Sequence, residues 1–293
     1  MTAAAREEAQ PLVVVGAGVM GTGITTLALA HGVPVTLVDV DRAVLDRAEV
    51  TVAHSLRTAA LLGATPPDTA PGPLTTTTSL SDALSGPAPV VVVEAVVEDP
   101  ATKAAVLAQV SATVSAGTPI ISNTSSIPID ELAASVTRPA DLLGTHFMNP
   151  AYLITTVEVV PGPRTAADVV AAAKKFLGEL RRTPIVVRDS PGFVTSRLLH
   201  PMINDAARLV QEGVASAEDV DALMRGCLGH PTGPLRTADL IGIDNLVDAL
   251  DVLHRRVGDD RSRPCDLLLA KVRDGHHGRK SGRGFYDYEE AHP

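Results

Sequence analysis

Six residues near the amino terminus constrain the fold most: Gly16-Ala17-Gly18-Val19-Met20-Gly21. They follow a short, continuous apolar run at 12–15 and open a stretch of helical spacing through Ala30. An apolar run that is short and does not alternate reads as a parallel strand buried on both faces. The glycines permit a tight turn and let backbone N–H groups approach a pyrophosphate. The helix that starts there adds partial positive charge. A second strand, 35–38, ends at Asp39, eighteen residues past Gly21. A carboxylate at that point can accept from an adenosine ribose 2′-hydroxyl and repels a 2′-phosphate. A glycine turn that only packs strand on helix has no use for that acid. Gly16, Gly18, Val19, Met20, Gly21 and Asp39 are therefore expected to bind NAD rather than NADP, with Arg42 close enough to weaken the preference.

The rest of the first two thirds alternates in the same way. Apolar runs at 90–93, 120–121, 142–147, 155–160 and 185–187 are strand candidates, with helices at about 43–62 and around Lys103. The threonine run 75–78 reads as a loop or the start of a strand. Alternating strands and helices argue for a doubly wound parallel sheet. Past Asp189-Ser190-Pro191-Gly192 the strand runs stop and the spacing is helical. The expected architecture is α/β: a Rossmann-type doubly wound sheet over 1–188, followed by a smaller all-helical domain over 189–293. A chain of 293 residues suits two such cores.

Composition closes off several functions. The net charge is −9, there is no Trp, and aromatic residues make up 2%. Nucleic acid calls for a basic stripe and stacking rings, so it is not an expected partner. Cys227 and Cys265 cannot build a disulfide framework or a metal site alone, and both read as small buried hydrophobes. No metal is expected. The first ten residues, with Arg6, Glu7 and Glu8, lack the apolar centre of a secretion leader, and no apolar run is long enough to span a bilayer. A cytoplasmic protein is expected, with no membrane partner.

A second constellation stands at the far end of the sheet domain. His146 closes one strand run, and Glu158 follows twelve residues later. Removing a hydride from an alcohol needs a base that works near neutral pH, which suits histidine. A carboxylate on the other ring nitrogen would orient and stabilise the imidazolium. From periodicity alone, a histidine at a strand end is more often structural than catalytic.

The segments 16–23, Glu94-Ala95-Val96-Val97-Glu98, Ser122-Asn123-Thr124-Ser125-Ser126, 146–150, Val157-Glu158-Val159-Val160 and Pro191-Gly192-Phe193 occur together here. So do Gly233-Pro234, 239–244 and 278–286. In combination the chain resembles the 3-hydroxyacyl-CoA dehydrogenase family from Pro11 to Tyr288. The resemblance implies that His146 is the general base, or the acid in reduction, with Glu158 as its partner. It implies that Ser125 bonds the reacting oxygen beside the nicotinamide and that Asn149 positions cofactor and substrate. It also implies that Glu98, Lys103 and Lys280 contact NAD, and that a helical second domain forms a homodimer and closes over substrate. Bland alternatives exist for some of these residues. Ser125 could cap the helix that Ser-Ser-Ile-Pro-Ile-Asp-Glu suggests, and Lys103 and Lys280 could be solvated charges. Glu94 reads as structural, and Gly242 with Asp244 as shaping a helix junction.

Two departures bear on the substrate. Where the family usually carries an Asn three residues after the Phe of Pro-Gly-Phe, contacting the thioester end, this chain has Ser196. From Thr58 to Thr102 there is no Lys or Arg, where relatives place basic residues against CoA phosphates. Phrases at 146–154, 193–197 and 263–269 are similar to dehydrogenases of polyketide extender-unit pathways. That likeness implies oxidation of glyceryl on an acyl carrier protein towards hydroxymalonyl or methoxymalonyl units, with Ser125 and Ser196 facing the substrate. Arg197, Arg208, Arg279, Lys280 and Arg283 are candidates for a basic carrier-docking patch, though ordinary surface charge accounts for most of them. The first alternative is a 3-hydroxybutyryl-CoA or fatty-acyl CoA enzyme, and the second is an NAD-binding protein without catalysis.

Overall fold

The computed structural model describes residues 10–288, so the segment in which no leader was read lies almost wholly outside it. The chain divides into two compact units, Met1–Ser190 and Pro191–Pro293.

The first unit is built on one eight-stranded sheet. Its strands are β1 (Leu12–Val15), β2 (Val35–Val38), β3 (Leu74–Thr77), β4 (Val91–Glu94), β5 (Ile120–Ser122), β6 (Leu142–His146), β7 (Thr156–Pro161) and β8 (Thr183–Val186). Their order across the sheet is β3-β2-β1-β4-β5-β6-β7-β8. The helices are α1 (Val19–Ala30), α2 (Arg42–Leu61), α3 (Leu80–Leu84), α4 (Pro100–Thr113), α5 (Ile129–Leu132) and α6 (Ala167–Glu179). The chain order reverses between β1 and β4, which opens a crevice at the carboxyl ends of those strands. β1 sits under helices on both faces, so Leu12, Val13 and Val14 are all 0% exposed. Each such side chain contributes roughly 1.5–3 kcal/mol of burial, and a polar residue there would have no partner.

Three of the six helix starts in this unit carry their own side-chain cap. The side chains of Asp41, Ser79 and Asp99 each accept from a backbone N–H in the first turn of α2, α3 and α4. At α1 the capping position is Gly18, and no side chain bonds that end.

One expectation of the all-parallel sheet fails. β7 runs antiparallel to β6, while β8 is again parallel to β7. The connection between β6 and β7, residues 147–155, turns straight back instead of crossing over through a helix. The threonine run, left open between loop and strand, is the edge strand β3.

The second unit is helical: α7 (Thr195–Gln211), α8 (Ala217–Leu228), α9 (Pro234–Ile241), α10 (Ile243–Val257) and α11 (Asp266–Arg273). Among the described residues its only β pairing is two isolated bridges, Gly278 to Arg283 and Arg283 to Asp287. Its core is apolar, with Ile203, Leu235, Ile243, Leu246, Leu250 and Leu268 fully buried. Cys265 is buried there, but Cys227 is exposed on α8, so the expectation of two buried thiols holds for one. No helix among the described residues is long and apolar enough to cross a membrane.

Candidate active site

The glycine turn is shaped by what lies against it. Gly16 has φ +102, and a Cβ there would stand 2.6 Å from the Ala95 carbonyl oxygen. A Cβ on Gly21 would stand 1.8 Å from the Gly16 oxygen. Both positions exclude a side chain for the protein's own packing. Gly18 differs, because a Cβ built there meets nothing within 4 Å. That open space lies at the uncapped start of α1, beside the exposed Val19 and half-buried Met20. Backbone N–H groups facing an open cradle fit a diphosphate. Asp39 is fixed at the end of β2: its Oδ2 accepts from Ala17 N at 2.9 Å and its Oδ1 from Asp41 N at 3.1 Å. Arg42 turns away to acids on its own helix, with Nε 2.9 Å from Asp46 Oδ1 and a guanidinium nitrogen 3.6 Å from Glu49. These residues fit NAD, with diphosphate at the turn and ribose at Asp39.

His146 and Glu158 are directly opposed in the antiparallel β6–β7 register. Opposed residues of an antiparallel pair project from the same face. His146 Nδ1 and Glu158 Oε2 are 2.8 Å apart, and both residues are buried, at 6% and 7% exposure. A carboxylate at Nδ1 fixes the ring and leaves proton exchange with a substrate to Nε2. Asn149 follows on the exposed turn, joined to Pro150 by a cis peptide.

Ser125 lies half-buried on the turn after β5. It does not cap a helix. α5 begins only at Ile129 and has no side-chain cap of its own. The Asp189 carboxylate serves that end instead, accepting from Ile129 N and Asp130 N at 2.9 Å each. The Ser125 turn is held by Glu98, whose Oε1 accepts from Thr124 Oγ1, Ser125 N, Ser126 N and Ser126 Oγ. Burial of Glu98 opposes its charge, but Lys103 and those bonds outweigh it and hold the carboxyl below its ordinary range. Lys103 is not a solvated charge. It is 1% exposed, 2.7 Å from Glu94 and 3.3 Å from Glu98. Glu94 is wholly buried and also accepts from Ser122 Oγ at 2.6 Å. Asn123, given no separate role by the sequence, accepts from Phe147 N at 3.1 Å and ties β5 to the end of β6. Arg182 was missed altogether. It is buried and donates to the carbonyls of Ile154 and Tyr152 in the turn after Asn149. Such links across 24 to 30 residues leave no local signal.

In the second unit Ser196 is buried in the first turn of α7. Lys280 spends its charge on Asp244, 2.7 Å away. Gly242, at φ +94, joins α9 to α10, as expected of a helix junction. Three of the five basic side chains of the expected docking patch have acidic partners. Arg208 pairs with Asp205, Lys280 with Asp244 and Arg283 with Asp287.

Known proteins resemble the chain over nearly its whole length. A family model described as the 3-hydroxyacyl-CoA dehydrogenase NAD-binding domain matches residues 11–190, and the C-terminal domain model of the same name matches residues 192–288. A probable 3-hydroxybutyryl-CoA dehydrogenase of Deinococcus radiodurans is 40% identical over 277 residues, covering 94% of this chain and 99% of the relative. One of the same description from Bacillus subtilis is 39% identical over 288 residues, covering 97% and 99%. The crystal structure of M. tuberculosis FadB2 superposes with a TM-score of 0.89 at 38% identity, covering 96% of this chain and 99% of that one. That of an (S)-3-hydroxybutyryl-CoA dehydrogenase from Ralstonia eutropha gives 0.84 at 35% identity, covering 97% and 100%.

Proposed function

Since the chain belongs to the 3-hydroxyacyl-CoA dehydrogenase family, we propose that it interconverts a short 3-hydroxyacyl-CoA and its 3-oxo form, with 3-hydroxybutyryl-CoA as the leading substrate. The chain is an NAD-dependent oxidoreductase acting on a CH–OH donor. The observation that carries the dehydrogenase chemistry is the buried 2.8 Å pair of His146 and Glu158, on the same sheet as the diphosphate cradle; what supports this substrate is the name that the full-length relatives bear.

Bound NAD supplies the hydride acceptor, held by the 16–21 turn and by Asp39. His146 takes the hydroxyl proton on Nε2. Glu158 stabilises the positive charge that the imidazole then carries, from the Nδ1 side. Ser125 donates to the reacting oxygen, and Asn149 orients the substrate beside it. A general base of this kind contributes about 10²–10⁴-fold in rate. The reverse direction uses the same groups, with His146 returning the proton. A homodimer built on the helical unit goes with this reading, and light scattering checks it.

A second reading is favoured by two features of the chain itself. Ser196 presents a hydroxyl where an amide would offer separate donor and acceptor, and residues 58–102 carry no Lys or Arg. Both suit a small polar thioester, such as glyceryl, on a carrier protein that offers fewer phosphates than free CoA. The names of the relatives favour CoA. Assays with 3-hydroxybutyryl-CoA and glyceryl-acyl carrier protein, run in parallel with NAD, separate the two. The first reading expects saturable NADH formation with the CoA thioester, and turnover confined to the carrier substrate would replace it.

A further inference from the structure

Residues 147–155 carry the chain from His146, at the end of β6, back into β7 and towards Glu158, and Asn149 rides on them. A connection of this kind has no ladder of its own, so its backbone groups must find other partners. Its first half is tied down nearby. Phe147 N donates to Asn123 Oδ1, and Ala151, 1% exposed, lies against Gly23 of α1. Leu153 N and Ile154 N both donate to the Pro150 carbonyl, at 3.0 and 3.1 Å. The carbonyls of the second half are held from α6 and β8. Arg182 Nη1 donates to Ile154 O at 2.9 Å and Nη2 to Tyr152 O at 3.3 Å. Its neighbour Thr183 N donates to Thr155 O at 2.8 Å. The end of α6 brings Arg182 to this place. Arg181 is left-handed there, at φ +53, while Arg181 N donates to Gly178 O at 2.9 Å and Arg182 N to Leu177 O at 2.8 Å. That pattern closes a helix sharply, and the next side chain, Arg182, is 6% exposed.

The guanidinium is held there at a cost. Its Nε is buried without a protein partner, and burial pushes its pKa below the ordinary value with no acid offsetting the effect among the described residues. A buried charge without a counter-charge is expensive. What the guanidinium adds is a rigid planar fork that grips two carbonyls in fixed geometry, where an ammonium would serve as a point charge. We infer that Arg182 is a positioning residue for the proposed reaction: it fixes the 147–155 turn and so sets where Asn149 stands relative to His146. It acts through the turn. The kinetic side of this inference rests on the proposed substrate. The structural side does not.

The test is a double-mutant cycle on the full chain with Arg182→Met and Asn149→Ala. It is read as kcat and KM for 3-hydroxybutyryl-CoA at saturating NAD, beside hydrogen exchange of the 150–155 segment by mass spectrometry. Arg182→Met alone should lower kcat about 30-fold, inside the roughly 10²-fold that a 1 Å misplacement costs, with KM within about threefold. Beside Asn149→Ala the same change should cost less than about threefold, because the group it places is gone. Exchange should quicken about tenfold as the turn loosens. Arg182→Lys, which keeps the charge and one bond, should lose only about fivefold in kcat. Unchanged kcat and exchange in Arg182→Met overturn the inference. So does an equal loss in both backgrounds, which would make Arg182 a support of the fold and not of Asn149. Should Arg182→Met not fold, Arg182→Lys carries the cycle. A loss that disappears beside Asn149→Ala then supports the inference, and a loss that persists, or none with unchanged exchange, overturns it. If the wild type turns over no 3-hydroxyacyl-CoA, the substrate reading falls and exchange alone judges Arg182: faster exchange upholds its grip on the turn, and unchanged exchange overturns it.

Discussion

Single residues in the glycine turn do different jobs, and the space around each tells them apart. Gly21 is closed by the Gly16 oxygen and Gly16 by the Ala95 backbone, so a methyl group at either must displace backbone. Gly18 opens onto space in which the protein has nothing. Gly18→Ala should therefore leave the melting temperature near that of the wild type, yet weaken NADH binding about tenfold or more, since the methyl stands where diphosphate approaches. Gly21→Ala should lower both. Fluorescence titration beside thermal melts checks this, and a Gly18→Ala variant that binds NADH normally would remove Gly18 from the cradle. The glycines and Asp39 were legible in the sequence because turn, helix start and ribose acid stand at fixed spacing along one strand–helix–strand unit. Lys103 was not. Nothing in its neighbours reveals that two carboxylates surround it, one of them nine residues back at a strand end.

At the scale of elements, the antiparallel turn-back of β7 does more for the site than any helix. It places Glu158 opposite His146, and a one-residue slip would carry Glu158 to the other face. The central strands were visible as apolar runs because both faces of the sheet are covered there. The direction of β7 was hidden, since a run of buried Val reads alike in either sense and only the short connection distinguishes them. α5 shows the same limit. The local Ser-Ser motif suggested a cap, but the cap comes from Asp189, sixty residues beyond Ile129. Asp189→Ala should cost about 1–2 kcal/mol, as lost helix caps do. In a unit of this size that lowers the melting temperature by about 2–4 °C per kcal/mol. An unchanged melt would show the cap to be dispensable.

At the scale of the whole molecule, two units with separate cores divide the labour, and each has its own tie. In the helical unit the tie is the closing segment around Phe285 and Tyr286. The Asp239 carboxylate, 1% exposed, accepts from Phe285 N, Tyr286 N and the Tyr288 hydroxyl. Asp221 accepts from Leu235 N, Arg236 N and the Tyr286 hydroxyl. Burial, with the Asp239 charge and its hydrogen bond, pushes the Tyr288 phenol up to about 12. A raised pKa means that the folded state prefers the protonated phenol. Its contribution is complete below the ordinary value of 10.0 and is lost as pH climbs towards about 12. The stability gap between wild type and Tyr288→Phe should accordingly be constant to about pH 9 and shrink above pH 10. A gap that does not change would mean that the phenol makes no such bond.

The account turns on His146 exchanging a proton with the substrate hydroxyl while Glu158 holds the ring. The most direct measurement is NADH formation from NAD and 3-hydroxybutyryl-CoA by the wild type and by His146→Gln, with NADH affinity determined for both. The prediction is saturable turnover in the wild type, a loss of about 10²–10⁴-fold or more in the variant, and NADH affinity within about threefold. Turnover that survives the substitution, with cofactor still bound, would contradict it.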